Sequence, residues 1–256
     1  NYTVFESAKN GIYAELTCFV PTKDACEINL LKIRNDSGKE KALSVYGGVE
    51  FCLWNAQDDT TNFQRNYNTG EVEIVEKERC GAVYHKTEYR ERRNHYAFFS
   101  LNDKIDGYDT DRDTFLGKFN GFDSPEAVKK RTSFNETAHG WSPAAFLRKD
   151  ITLAPNEEIS LVYLLGYVEN AEDDKWEAPN VVNKKKAERL IEKYSDEKAV
   201  YAEFDELKRR WAELLDKFSV KTTDEKFDRT VNIWNQYQCL ITYLMSRSAS
   251  YYESGI

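Results

Sequence analysis

Along the first two-thirds of the chain, apolar residues recur at every second position. In residues 12–20, Ile12, Ala14, Leu16, Cys18 and Val20 alternate with polar or aromatic neighbours, the period of a half-buried β-strand. Val49, Phe51 and Leu53 alternate in the same way up to Trp54, and further strands are expected over residues 71–75, 83–89, 95–101, 147–153 and 159–168. Asn35-Asp36-Ser37-Gly38 and Ala154-Pro155-Asn156-Glu157 have the composition of turns between successive strands. Many strands with no helices between them predict an antiparallel β-sandwich.

The period changes near Asn170. Residues 183–193 read as a short charged helix. Beyond them Val200, Phe204, Leu207, Trp211, Leu214 and Phe218 recur at steps of four and three, one apolar stripe on a second helix. Ser195 is the expected N-cap of that helix, with Asp196 and Glu197 favourably placed at its positive end. Thr222-Thr223-Asp224-Glu225 reads as a capping box opening a third helix, with Phe227, Val231, Trp234 and Ile241 on its buried face. The expected organisation is a β-sandwich over 1–169, a helical linker over 170–221 and the start of a helical domain over 222–256. There is no internal repeat. Both ends, Asn1 without a methionine and Ile256 just after an apolar-faced helix, read as cuts in a longer protein.

Composition narrows the partners. A net charge of -8 disfavours nucleic acid, whose phosphates need a Lys/Arg surplus, and disfavours an anionic membrane surface. No apolar run approaches the about 20 residues that span a bilayer. The cysteines Cys18, Cys26, Cys52, Cys80 and Cys239 are odd in number and never spaced Cys-x-x-Cys, so a reduced, cytoplasmic setting is expected. Aromatic residues make up 14% of the chain. They suit a packed β domain and equally suit the C–H faces of sugars, so composition alone does not choose between the two.

Several catalytic chemistries fail at the level of residues. Asp109-Thr110-Asp111-Arg112-Asp113-Thr114 begins like a calcium loop, but Thr114 and Asn120 stand where such a loop needs Gly and a bidentate Glu, and a surface loop is the default. His85, His95 and His139 have no metal-ligand spacing. There is no phosphate-cradling Gly-rich loop and no serine elbow. The run over residues 84–95 reads as an exposed strand carrying salt bridges. The richest polar stretch, residues 54–66, follows an apolar strand and should emerge at a sheet end. On a helix, Asn55, Asn62 and Arg65 would share roughly one face, and amides beside a guanidinium match paired pyranose hydroxyls. The same groups would serve a loop that hydrogen-bonds its own backbone. Arg247, among small residues, is either a surface arginine or a bidentate partner for phosphate or carboxylate.

Longer strings carry a resemblance. Phe51-Cys52-Leu53-Trp54-Asn55-Ala56 with Thr61-Asn62-Phe63-Gln64-Arg65-Asn66, then residues 84–96 and 106–121, resemble the cellobiose phosphorylases of glycoside hydrolase family 94. So do Asn232-Ile233-Trp234-Asn235-Gln236-Tyr237-Gln238-Cys239 and Met245-Ser246-Arg247-Ser248-Ala249-Ser250-Tyr251. The resemblance spans almost the whole chain. It implies a mutarotase-like supersandwich, a helical linker and the first helix of an (α/α)6 barrel. The parent enzyme is implied to be homodimeric, one subunit's sandwich bordering the other's active site.

The implied reaction is inverting phosphorolysis of cellobiose, or a related β-glucoside, to α-D-glucose 1-phosphate and D-glucose. Inorganic phosphate is a substrate, and no cofactor or metal is expected. An inverting hydrolase needs a general base to activate water; phosphate is already an anion, so one general-acid aspartate suffices. The resemblance places that aspartate outside this chain, leaving no catalytic residue within it and an inactive isolated segment. By resemblance, Asn55, Asn62 and Arg65 match the acceptor-glucose end of a neighbouring subunit's site. Arg247 matches an arginine near the phosphate and the reacting glucose, where its charge would attract the nucleophile. The alternative from another class is a non-catalytic carbohydrate-binding β-sandwich.

Overall fold

The computed structural model describes residues 1–51, 70–87, 94–138 and 143–245. The chain divides into residues 2–204 and a C-terminal unit that begins at Asp205.

The first unit is built on two antiparallel sheets. Strands β1 (Tyr2–Lys9), β2 (Ile12–Phe19), β3 (Cys26–Asn35), β4 (Lys41–Glu50), β5 (Gly70–Lys77), β6 (Cys80–Thr87), β7 (His95–Leu101), β8 (Gly107–Asp111), β9 (Pro143–Leu153) and β10 (Glu158–Glu169) follow in chain order. Seven of them form a sheet in the order β1-β2-β3-β10-β7-β6-β5, and three form a second in the order β4-β9-β8. Inner-face residues Val83, Ala97, Phe99, Leu101, Leu161 and Tyr163 of the wide sheet meet Ala145 and Leu147 of β9 and Phe51 in one buried core. The sandwich expected from the period-of-two pattern is therefore present.

Close approach of the sheets depends on a missing side chain. A Cβ on Gly47 of β4 would sit 2.3 Å from the Tyr163 ring of β10, well inside van der Waals contact. Gly47 and its neighbour Gly48 also interrupt the alternation. That is why the pattern points to a strand near residues 49–53, whereas β4 runs Lys41–Glu50 in register with β9 from Lys41↔Leu153 to Glu50↔Ala144.

The two turns expected at 35–38 and 154–157 share one node. Asn35 is fully buried, and its Nδ2 donates to Lys39 O at 2.7 Å and Leu153 O at 2.9 Å, while its Oδ1 accepts from Ser37 N at 3.0 Å. Asn156 N donates to Asn35 O at 2.8 Å. One amide thus joins the β3–β4 and β9–β10 connections, and with them both sheets.

Within the run over residues 84–95, expected to be exposed, Tyr84, His85, Lys86 and His95 are buried. Tyr84 and His85 are each 1% exposed, because the two faces of β6 are both covered. Its inner face meets the core, and its outer face lies under residues 170–184, which include the short strands β11 (Trp176–Ala178) and β12 (Val181–Val182). Lys86 donates to Asn180 O at 2.7 Å, and Val182 N donates to Glu73 Oε1 at 3.0 Å. The Asp109 string also departs from expectation. Asp109 and Thr110 are fully buried in β8, and Asp111 caps the short helix α1 (Arg112–Leu116) by accepting from Thr114 N at 2.7 Å. Helix α2 (Glu126–Lys130) follows.

Helix α3 (Lys185–Ser195) buries Ala187, Ile191 and Tyr194, and packs on β10. Tyr194 donates its hydroxyl proton to Asp24, which Lys193 also contacts at 2.7 Å. Helix α4 (Glu197–Leu215) is capped by Asp196, which accepts from Lys198 N at 3.0 Å, and not by Ser195. Ser195 closes the preceding helix instead, its hydroxyl donating to Glu192 O at 2.7 Å.

In the C-terminal unit, α5 (Glu225–Arg229) continues through a π-helical stretch, Thr230–Asn235, into α6 (Gln236–Met245). Its N-cap is Asp224, which accepts from Lys226 N and Phe227 N, and not Thr222. Thr222 supports the cap from outside by accepting from Asp224 N at 3.1 Å. The face expected to be buried is open: Phe227 is 51% and Trp234 55% exposed, because no described element covers it.

Asn35→Ala leaves four backbone groups, Ser37 N and the carbonyls of Lys39, Leu153 and Ala154, without the buried amide and should cost about 3 kcal/mol of stability. Urea unfolding checks this; a midpoint within error of wild type would remove Asn35 from its place as the node of the two turns.

Candidate functional site

Asn55, Asn62, Arg65 and Arg247 all lie outside the described residues, and so does His139. What the structure fixes is the set of strand ends flanking these positions. Glu50 pairs with Ala144, Phe51 N donates to Pro143 O at 3.4 Å, Gly70 pairs with Thr87, Lys86 with Tyr96, and Glu169 with His95. The strand ends that flank residues 52–69, 88–93 and 139–142 therefore lie together at one end of the sandwich. Segments joined to one end of a rigid sheet pair are where binding groups concentrate.

Three clusters support that end. The first is aromatic. His85 continues the inner-face alternation of Val83, and its ring stacks on Phe51 with centroids 5.1 Å apart and planes 12° from parallel. Neither His85 nitrogen has a hydrogen-bond partner. Burial, and then the nearby His95, push its pKa down to about 4, so the ring is neutral at physiological pH.

The second cluster is a carboxyl pair. Asp109 Oδ1 accepts from Phe134 N at 2.6 Å, and Glu136 Oε1 accepts from Thr110 N and Asp111 N, each at 3.3 Å. The remaining oxygens, Asp109 Oδ2 and Glu136 Oε2, are buried and meet no donor. Burial pushes the Asp109 pKa up to about 7, Phe134 N opposes this, and Glu136 adds to it.

The third is an ion network on the outer face. Lys86 meets Glu71 at 3.0 Å and Glu73 at 3.2 Å, and Lys184 meets Glu73 and, at 3.4 Å, Glu177. Burial alone would lower the Lys86 pKa, but these carboxylates raise it. Burial would likewise raise that of Glu73, and the two lysines hold it down. Every charge here is paired, as buried charge requires.

These groups hold strand ends in place; none is presented as a nucleophile with an adjacent base. Among the described residues no group of three or more His, Cys, Asp or Glu side chains is arranged to hold a metal. Cys18, Cys26, Cys80 and Cys239 are free thiols, and Cys52 lies outside the described residues. Sequence reasoning missed His85, Asp109 and Glu136. The signal for His85 was its place in the alternation after Val83, whereas nothing local joins Asp109 to Glu136 across 27 positions.

Two facing antiparallel sheets followed by helices define a supersandwich that leads into a helical unit. The profile of the glycosyl hydrolase 94 supersandwich domain matches residues 1–197, and that of the glycosyl hydrolase 94 superfamily catalytic domain matches residues 210–256. The chain belongs to the glycosyl hydrolase 94 family. It is 32% identical over its full length to an N,N'-diacetylchitobiose phosphorylase of Vibrio proteolyticus and 28% identical to one of Vibrio furnissii, covering 30% of each. Over 94% of its length it is 25% identical to a solabiose phosphorylase of Paenibacillus borealis, covering 29% of that protein. The chain thus spans about 30% of the length of these curated relatives.

The carboxyl pair yields a signed pH test. With its pKa raised, Asp109 stabilises the fold at low pH, and that contribution falls as pH rises from 3.8 through about 7. Asp109→Asn keeps an acceptor for Phe134 N and removes the titrating proton. It should raise stability at pH 8 by about 1–3 kcal/mol and change it little at pH 4. Thermal unfolding at the two pH values checks this; equal shifts at both would contradict a raised Asp109 pKa.

Proposed function

We propose that this chain is the sandwich, linker and first barrel helices of a longer inverting phosphorylase acting on a β-linked disaccharide. The supporting observation is the order of family matches, a supersandwich domain followed by a catalytic domain, on a fold that runs from sheets to helices. In the proposed reaction a phosphate oxygen attacks the anomeric carbon from the face opposite the glycosidic oxygen. The C–O bond to the leaving sugar breaks as a general acid beyond this chain protonates that oxygen. The products are an α-glycosyl 1-phosphate and a free reducing sugar. Phosphate needs no general base, so the demand on the protein is to hold an anion against a sugar.

In this reading Arg247 offers its guanidinium fork to the phosphate, and Asn55, Asn62 and Arg65 bind the acceptor sugar of a neighbouring subunit in a homodimer. A reduced cytoplasmic setting fits the free thiols. The match of residues 210–256 to a catalytic domain favours an enzyme over a non-catalytic sugar-binding sandwich. Cellobiose is the substrate the sequence resemblance implies. Similarity to the two Vibrio N,N'-diacetylchitobiose phosphorylases favours a second substrate, N,N'-diacetylchitobiose.

The full-length enzyme should release sugar 1-phosphate from cellobiose or N,N'-diacetylchitobiose only when phosphate is present, and the ratio of kcat/KM values identifies the substrate. Phosphate-independent hydrolysis, or no turnover of any β-linked disaccharide, would overturn the reading. Arg247→Ala should raise KM for phosphate about 30-fold, the loss of roughly 2 kcal/mol of charge-assisted hydrogen bonding. Unchanged phosphate kinetics would remove Arg247 from the anion site.

A further inference from the structure

The outer face of the β5–β6 hairpin carries a cavity away from the candidate site. On that face Cys80, Ala82 and Tyr84 of β6 stand opposite Lys77, Val75 and Glu73 of β5. The short side chain of Ala82, paired with Val75, leaves a hollow in the sheet, and Ile191 of α3 lines its other side. The cavity measures about 370 Å³. Small-ligand sites occupy about 300–1,000 Å³, so this one suits a single ring or a disaccharide-sized molecule. It adjoins the Lys77–Cys80 pair, about 24 Å along the hairpin from the Gly70–Thr87 pair that flanks the candidate site.

The lining has an apolar floor and a polar rim. Val75, Ala82 and Ile191 supply the floor. Lys77 and Arg79 bring cations to the rim and Glu188 and Glu192 bring carboxylates, so its charges balance. Lys77 is already paired with Glu188 at 3.0 Å, whereas Arg79 and Glu192 are exposed. Tyr84 also lines the cavity and is 1% exposed, yet its hydroxyl has no hydrogen-bond partner among the described residues. A buried hydroxyl costs stability unless something supplies it a partner, and here only the contents of the cavity can.

We propose that this cavity is a second, non-catalytic carbohydrate site, which takes a neutral pyranose ring alone or as one unit of a disaccharide. The C–H face of a sugar suits the apolar floor. Its hydroxyls both donate and accept, so one ring serves the Arg79 guanidinium, the Glu192 carboxylate and the Tyr84 hydroxyl together. An anion would face Glu188 and Glu192, and a cation would face Lys77 and Arg79; a neutral polyol faces no like charge. The site uses none of Asn55, Asn62, Arg65 or Arg247, and its place at the far end of the hairpin makes it a holding site outside the reaction.

Cys80 lines the same cavity and reports on it. Burial pushes the Cys80 pKa up to about 11, so the thiol alkylates slowly and protection is readily timed. The experiment is alkylation of the full-length enzyme by iodoacetamide, read at Cys80 by peptide mass spectrometry. Methyl β-D-glucopyranoside and its 2-acetamido counterpart are the probes, and inorganic phosphate is the control. Hydrogen exchange of residues 75–84 gives a second readout that needs no thiol chemistry. A bound sugar should protect saturably, about tenfold at about ten times its Kd, and phosphate should not protect.

Tyr84→Phe, Arg79→Ala and Glu192→Ala should each raise the half-protecting concentration about five- to tenfold, the loss of one hydrogen bond to the sugar. Each should leave kcat/KM for phosphorolysis within about twofold of wild type. Tyr84→Phe removes no hydrogen bond within the protein, so it should fold as wild type does. Failure of both sugars to protect at about 100 mM would mean a cleft that holds only water, and would overturn the proposal. Protection by phosphate alone, or protection unchanged in all three variants, would overturn it equally. Absence of phosphorolysis counts against the reading of the enzyme instead, and the Cys80 and exchange data alone then decide this site.

Discussion

The contact between two sheets of unequal width is the constraint on which the rest of this protein depends. Three strands cover part of a seven-stranded sheet, and Gly47 admits the Tyr163 ring where the two sheets approach across a missing side chain. At one end the seam is closed by the buried amide of Asn35, which serves two turns at once. At the other it is closed by the Phe51–His85 ring pair. Phe51 of that second closure immediately precedes, in sequence, the segment that carries the proposed sugar-binding amides. Packing, not hydrogen bonding, holds it, since the imidazole makes no polar contact.

Charge is distributed in keeping with this seam. Burial keeps His85 neutral and holds the Asp109 proton to a raised pH; on the outer face of β6, lysines and glutamates are buried only in pairs. The inner groups give opposite pH dependences. The His85 contribution is present above 6.5 and is lost as pH falls towards about 4, whereas the Asp109 contribution is lost as pH rises from 3.8 through about 7. Over the shared interval the two contributions partly cancel. Local opening at each site still senses its own proton.

Much of the sandwich was legible in the period of two, though not its phase everywhere: in β2 the buried residues are Thr17 and Phe19, whereas Ile12, Ala14 and Leu16 are half-buried and Val20 is exposed. Two features were hidden. β1 is exposed along its whole length, so burial imposes no pattern on it, and β4 is masked by its two glycines. The charged look of residues 84–95 misled for a related reason: a strand covered on both faces can carry Lys86 if its partners arrive from distant chain, here Glu71 and Glu73. Caps were located to within two residues but misassigned, because Asp196 and Asp224 compete with neighbouring Ser195 and Thr222 as acceptors. The candidate site was legible only as residue types, Asn55, Asn62, Arg65 and Arg247, together with the resemblance. Their chemistry fits sugar hydroxyls and phosphate, but no periodicity fixes where they stand.

The central claim is that the end of the sandwich bearing residues 52–69 meets an acceptor sugar while Arg247 meets the phosphate. A crystal structure of the full-length enzyme with a bound disaccharide and phosphate tests it most directly. Asn55, Asn62 and Arg65 are expected within hydrogen-bonding distance of the reducing-end sugar, with the Arg247 guanidinium on the phosphate. A sugar bound remote from that sandwich end, with Arg247 facing solvent, would contradict it.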